Sequence, residues 1–340
     1  MMMKAAFYEG NRTIRVGEGI SVPPRTGEVQ IEVSHAGICG TDLHIFHGHM
    51  DKRVSFPQVM GHEMSGVIHA LGEGVTGYAV GDRVTVMPLS PCGQCPACSA
   101  GHNHICQNLK FLGIETPGAF QSLWTVPAFT LHRLPDSLSL EHGAMIEPLA
   151  VACHDVRIGE VTSGEYIVVL GGGPIGMLIA LVAREAGAKV LISEINPFRL
   201  ELAKALGLDT INPKEADIVE YVNKQTGMAG ADVVFEVTSS AAGAEVMTRL
   251  PRTRGRIVVV GIFTQPPKVD LHRFFWRELK MSGARVYEHE DFEKAIQLSA
   301  SGQLPLDRLI TEIYPLERLE EGFRQMEGGS SVMKILLKCS

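Results

Sequence analysis

EYIVVLGGGPIGMLIALVAREAGAKVLISEINPFRLELAKALG, residues 165–207, decides the fold. The apolar run Tyr166–Leu170 has the length of a buried strand and ends at three glycines and a proline. A helical stretch follows, then a second strand, KVLIS, and a second helix. That order is a βαβ unit. Gly171, Gly173 and Gly176 spell G-x-G-x-x-G at its strand-to-helix turn. The first glycine serves the sharp turn, the second lets the backbone approach a pyrophosphate, and the third allows close helix packing on the sheet. Together with Pro174 and Ile175 they open a helix whose free amides and dipole favour an anion. Glu194 ends the second strand eighteen residues beyond the motif's last glycine, Gly176, where a carboxylate binds the ribose hydroxyls of NAD and repels the 2′-phosphate of NADP. Arg199, five residues on, reads either as lying along the adenosine or as a solvated arginine on the helix surface. The uncharged stretch Tyr166–Ala183 approaches the length of a membrane span, but its GGGP centre divides it into strand, turn and helix. ADVVFEV and GRIVVVGIF read as further buried strands, with SSAAGAEVMTRL as the helix between them.

A chain of 340 residues exceeds what one core usually supports, so two domains are expected. Its 45% apolar and 20% charged content excludes disordered and fibrous classes. A net charge of -7 with no basic run offers nothing to a nucleic-acid backbone or an anionic membrane, which leaves a small molecule as the expected partner. The opening MMMKAAFYEGNRTIRV has no continuous apolar region of the secretory kind, so a cytoplasmic location is expected.

Four of the seven cysteines lie in PCGQCPACSAGHNHIC, residues 91–106. Cys92, Cys95, Cys98 and Cys106 follow C-x2-C-x2-C-x7-C, a spacing that lets one loop aim its sulfurs at a common centre. Zinc takes such tetrahedral thiolate shells; an iron–sulfur cluster, a redox C-x-x-C pair and chance clustering are the competing readings. His102 and His104 could replace a thiolate, but the four cysteines already fill the shell. A filled shell has no place for substrate, so this zinc is expected to hold structure, and the chemistry to lie elsewhere. Cys153 and Cys339 have no assigned role.

Upstream stand HAGICGTDLHIFHG and VMGHEMSGVI. Taken alone, Cys39 and His62 read as buried core residues more readily than as ligands. The order CGTDLH, GHEMSGVIHALGEGVTGYAVGDRV, the cysteine loop, IEPLAV and LGGGPIG, however, resembles the zinc-containing medium-chain alcohol and polyol dehydrogenases over nearly the whole chain. The resemblance implies a catalytic zinc held by Cys39 and His62, with Glu63 and Glu147 on the carboxylate side; which of the two glutamates binds directly is left open. It makes Asp42 the carboxylate that orients the histidine, and Thr41 and His44 the route by which a proton leaves for solvent. It also puts Val260, Gly261 and Ile262 at a strand end near the nicotinamide.

The fold so implied is α/β: a GroES-like β-barrel catalytic domain of residues 1–152 and 289–340, with a Rossmann doubly wound parallel-sheet domain, 153–288, inserted. Two zinc ions per chain, NAD, a cleft between the domains and a homo-oligomer, tetramer or dimer, go with it. The expected reaction transfers hydride between a secondary alcohol or sugar alcohol and NAD, giving the ketone. Glu147-Pro148-Leu149 and Tyr287 resemble the polyol and butanediol branch, although Val286 stands where sorbitol dehydrogenases have arginine, with Arg285 one place earlier. GIETPGAFQSLWTVPAF resembles threonine dehydrogenases. L-Threonine 3-dehydrogenase and 2,3-butanediol dehydrogenase are therefore the alternatives. A non-catalytic NAD-binding or redox-sensing protein is a remote one, since such relatives lose the ligand residues kept here.

Overall fold

Tyr166–Leu170 pairs in parallel with Lys189–Ser193 on one side and Ala231–Glu236 on the other, at the centre of a six-stranded sheet in the computed structural model of the chain. The structure describes residues 2–329 and 331–340. Across the sheet the strands run Asp209–Ile211, Lys189–Ser193, Tyr166–Leu170, Ala231–Glu236, Pro251–Val259 and Lys280–Gly283, all parallel. The chain thus winds outward from the first strand in both directions, which is the doubly wound order. Ile167, Val168, Val169 and Leu170 are all buried because helices cover both faces, and for that reason the sequence shows a continuous apolar run rather than alternation. Val168, Leu191, Val234 and Ile257 form one core with Ile218, Val222 and Met247 of the covering helices. The strand ending at Val259 stops before Val260, Gly261 and Ile262, which were expected to finish it. Val260 and Gly261 instead turn aside and donate both amides to the Glu236 carbonyl, each at 2.9 Å.

The chain divides into two compact units, Pro148–Tyr287, which contains this sheet, and Met1–Glu147 with Glu288–Ser340. In the second unit, strands run in the order Leu131–Arg133, Arg83–Val86, Glu63–Leu71, Glu28–Ile38, Lys334–Lys338, Ile310–Pro315, and Leu123–Pro127 also pairs with Glu28–Ile38. Pairing is antiparallel except between the last two. A smaller sheet orders Ile14–Ile20, Met2–Tyr8 and Gln58–Val59. The long strand Glu28–Ile38 is the hub: it meets Glu63–Leu71 on one edge, and on the other Leu123–Pro127 at its start and Lys334–Lys338 at its end. Ile31, Val33, Ile38, Met64, Phe120, Trp124, Ile335 and Leu337 are buried in this unit. Among the described residues no helix is long and apolar enough to cross a membrane.

Candidate active site

Two registers of the hub strand assemble the first cluster. Gly37 is opposite Glu63, and Ile38 is opposite Ile335, so Cys39, Glu63 and Lys334 emerge at the same end of three neighbouring strands. Cys39 then caps the helix Gly40–Phe46. Its N–H donates to Asp42 Oδ2 at 2.9 Å, closing a capping box that fixes the thiol's position. His62 precedes the strand Glu63–Leu71, and its Nε2 lies 3.4 Å from Cys39 Sγ. With sulfur at about 2.3 Å and nitrogen at about 2.0 Å from a tetrahedral zinc, the ligand-to-ligand edge is about 3.5 Å. The observed separation fits.

Cys39, Asp42 and His62 bring their ligand atoms within 4.8 Å of one another, and so do His62, Glu63 and Glu147. His62 is common to both groups. Glu147, in the first turn of the helix Ile146–Ile158, is buried, as are His62, Glu63 and Asp42. Among the described residues, His62 Nδ1 and Asp42 Oδ1 are buried atoms without a hydrogen-bond partner. Burial pushes the Cys39 thiol well above its usual range, and the Asp42 and Glu63 charges add to that. Such a thiol stays protonated unless a cation joins it, so the donor set fits a metal ion. Asp42, expected to orient the histidine, makes its hydrogen bond to the Cys39 backbone. Thr41 and His44 lie on the capped helix, Thr41 half-buried and His44 exposed. His44 Nδ1 is 3.3 Å from His49 Nδ1. Although the residue is exposed, partial desolvation of the ring lowers the His44 pKa, and the neighbouring His49 and His47 lower it further.

Lys334 was not singled out in the sequence. It is only 1% exposed, and its Nζ pairs with Glu63 Oε2. Burial alone would lower its pKa, but Glu63, Cys39 and Glu147 together hold it above the ordinary lysine value. Gly37 makes room for the pair: a Cβ there would run into the Glu63 carboxylate and come within 3.0 Å of Lys334 Cε. In VMKILLK the lysine reads as an ordinary solvated strand end; only the strand register brings it to Cys39.

The cysteine loop brings its four thiols together without a disulfide. Sγ separations are 3.5 Å for Cys95–Cys98, 3.5 Å for Cys92–Cys106 and 3.8 Å for Cys95–Cys106. A zinc tetrahedron with sulfurs at about 2.3 Å has an edge of about 3.8 Å. Cys92 N–H and Asn108 N–H point at Cys106 Sγ, both at 3.3 Å, and Gln107 N–H at Cys95 Sγ at 3.4 Å. Amides donating to sulfur bring the Cys95 thiol down to about 6. Burial, with hydrogen bonds to Cys95 and Cys106, pushes Cys98 up to about 12. Crowded thiols cannot all ionise without a cation to balance them.

In the parallel-sheet unit, Gly171 has φ +102°, open only to glycine, and a Cβ on Gly176 would overlap the Gly171 carbonyl. Gly173 caps the helix Pro174–Glu185, and Pro174 and Ile175 form its first turn. Glu194 is 6% exposed and accepts from Gly172 N–H at 2.8 Å, Ile195 N–H at 2.7 Å and Asn196 N–H at 2.8 Å. Arg199 Nη1 is 3.8 Å from Glu194 Oε2, and Arg199 Nε is buried without a partner among the described residues. The carboxylate is thus locked beside the glycine turn. Ile262 is 78% exposed, and Gly261 packs over the Glu236 carboxylate and Ser239.

A glycine turn at the head of a doubly wound sheet, together with two metal-type donor clusters in a separate barrel-like unit, defines a metal-containing, nucleotide-dependent oxidoreductase. Residues 25–136 match the alcohol dehydrogenase GroES-like domain and residues 174–301 the zinc-binding dehydrogenase family. The chain is 53% identical to the 2-dehydro-3-deoxy-L-galactonate 5-dehydrogenase of Pseudoalteromonas atlantica, covering 99% of both chains. It is 35% identical to the sorbitol dehydrogenase of Halalkalibacterium halodurans over 92% of both. A zinc-binding dehydrogenase of Sinorhizobium meliloti solved bound to NADP superposes with a TM-score of 0.92 at 31% identity, over 99% of both chains. The chain belongs to the zinc-containing medium-chain alcohol and polyol dehydrogenases, and it is a zinc-binding, nicotinamide-dependent oxidoreductase.

Proposed function

We propose that the chain oxidises a secondary hydroxyl of a polyhydroxylated sugar derivative to the ketone, with NAD as acceptor, and that 2-dehydro-3-deoxy-L-galactonate, oxidised at C5, is the first substrate to try. The carrying observation for the site is the buried Cys39–His62 pair at 3.4 Å, with Glu147 within reach of the same histidine. The substrate class rests on the 53% identity to an enzyme named for that sugar acid.

Cys39, His62 and Glu147 would hold the catalytic zinc. Glu63 is already committed to Lys334, which favours Glu147 as the direct carboxylate. Cys92, Cys95, Cys98 and Cys106 would hold a second, closed zinc, giving two per chain. When bound, zinc supplies Lewis-acid chemistry and the nicotinamide accepts two electrons. Thr41 accepts the proton released by the substrate hydroxyl and hands it on toward His44. His44, kept largely neutral by its lowered pKa, takes the proton and passes it to solvent. Gly171, Gly173, Pro174, Ile175 and Gly176 would hold the dinucleotide phosphates at the helix N-terminus, Glu194 would bind the ribose hydroxyls, and Arg199 and Val260–Ile262 would contact the adenosine and nicotinamide portions.

Self-association into a dimer or tetramer fits the sheet's edge. The edge strand Lys280–Gly283 is exposed at all four positions, and the preceding helix exposes Leu271, Phe275 and Trp276 at 68%, 77% and 67%. A bare edge beside an aromatic patch is a surface that a second copy would cover. A reducing, cytoplasmic compartment fits a chain with no disulfide among its described residues.

The test is a reduction screen of NAD and NADP against 2-dehydro-3-deoxy-L-galactonate, sorbitol, xylitol, galactitol, butanediols and threonine, with zinc counted per chain. A higher kcat/KM on threonine or butanediol sinks the sugar-acid reading. A preference for NADP sinks the role given to Glu194. One zinc per chain sinks the assignment of one of the two clusters.

A further inference from the structure

His132, His289 and Glu293 form a third donor cluster, separate from both zinc sites proposed above. His132 lies on the strand Leu131–Arg133, opposite Thr85, and its side chain is 3% exposed. His289 and Glu293 are one turn apart on the helix His289–Ala300, which carries the chain's second passage through the barrel-like unit. An i, i+4 spacing puts the two on one helical face. Glu293 Oε1 is 2.5 Å from His132 Nδ1, and the His289 ring packs over the His132 ring with centroids 4.8 Å apart. Phe292 flanks the same imidazole at 4.6 Å. No lysine or arginine pairs with Glu293 among the described residues; its ion-pair partner is His132.

Two imidazoles and a carboxylate therefore converge with their ligand atoms all within 4.8 Å. We infer that His132, His289 and Glu293 form a third metal site, specific for a divalent transition cation of the zinc type and open to solvent at its fourth position. Imidazole nitrogen excludes the hard cations calcium and magnesium, which seek oxygen, and suits zinc, copper and nickel. With ligand bonds of about 2.0–2.2 Å, the ligand atoms of a tetrahedral site stand about 3.4 Å apart. His289 must close on the site and Glu293 must open from His132 by about an ångström. Both side chains can do so, since His289 is exposed and Glu293 is 47% exposed, while Phe292 and the strand hold His132 still. Burial lowers the His132 pKa against the opposing pull of Glu293, so the ring is held toward the neutral form that binds metal. Filling the site would tie residues 131–133 to the helix start at His289, two parts of one unit separated in sequence by the whole parallel-sheet unit.

The experiment titrates Zn²⁺ into the enzyme as purified, carrying its own zinc, by calorimetry and by thermal unfolding, for the wild type and for His289→Ala and Glu293→Gln. His289 is exposed and outside the proposed catalytic machinery, so turnover without added zinc serves as the folding control. The wild type is expected to take up one more Zn²⁺ than either variant, unaffected by excess Mg²⁺, and to gain roughly 5 °C in Tm at saturation. Retention of that binding event by either variant, or no uptake by the wild type beyond the zinc it carries, overturns the inference.

Discussion

Cys92, Cys95, Cys98 and Cys106 come from one short loop, whereas Cys39, the adjacent His62 and Glu63, Glu147 and Lys334 come from four separate places in the barrel-like unit. The loop satisfies its sulfurs locally, with amides from Cys92, Gln107 and Asn108, and no charged side chain makes a hydrogen bond or ion pair with these thiols among the described residues. The dispersed cluster is built by strand register and includes a buried lysine. Its carboxylates crowd the Cys39 thiol, and Lys334 offsets part of that charge. A closed shell of four identical ligands suits a permanent ion. A mixed set with a salt-bridged carboxylate in reserve suits an ion whose coordination must change as substrate arrives.

Substituting one cysteine in each cluster sets the two against each other most strongly. Cys39→Ala is expected to lower kcat/KM by about a thousand-fold or more, the several kcal/mol that a Lewis acid supplies, while the unfolding temperature stays within a few degrees. Cys98→Ala should do the reverse, lowering the unfolding temperature or the yield of folded protein while the molecules that fold keep most of their kcat. Zinc analysis should give one ion per chain for each variant. A Cys39→Ala enzyme with full turnover, or a Cys98→Ala enzyme as stable as the wild type, would reverse the roles of the two clusters.

Lys334→Met probes the charge balance of the dispersed cluster. It leaves Glu63 buried without its counter-charge, which is expected to cost about 3–5 kcal/mol. The double variant Lys334→Met with Glu63→Gln should recover much of that loss, because the uncompensated charge is then gone. Denaturant unfolding of the two proteins checks it. Equal stability of the single and double variants would mean that the uncompensated Glu63 charge is not the source of the loss.

The same contrast explains what could be read from the sequence. The Rossmann unit was legible because its signals are local: Gly171, Gly173 and Gly176 specify one turn, and Ile167–Leu170 buries every side chain on a sheet covered on both faces. The cysteine spacing was legible for the same reason. Cys39, His62 and Glu147 became candidates only through resemblance, since nothing within a few residues of each distinguishes a ligand from a core side chain. Lys334 and Gly37 were missed altogether. Their meaning lies in the pairing of Lys334–Lys338 with Glu28–Ile38, strands at opposite ends of the chain, and a lysine at a strand end has no local mark of burial. The strand expected to end in Val260–Ile262 stops at Val259 because the Glu236 carbonyl draws the next two amides out of the ladder.

The smallest expected effect concerns His44, the end of the proton route proposed above, and its neighbour His49. The His44 pKa is lowered first by partial desolvation of its ring, and then by the neighbouring rings of His49 and His47. A proton acceptor works only while neutral, so turnover should fail as the pH drops through the depressed His44 value. Removing His49 takes away one neighbour whose positive charge opposes protonation of His44, so the His44 pKa should rise. His49→Ala is therefore expected to move the acid limb of kcat to higher pH, by less than about one unit because desolvation, the larger cause, remains. The limb for Cys98→Ala molecules that fold should stay where the wild type has it, since the loop shares no titrating group with the route. A His49→Ala limb that does not move while His44→Ala abolishes it would show that His49 has no electrostatic hold on His44 in the working enzyme, and one that moves to lower pH would show a hold of the opposite sign.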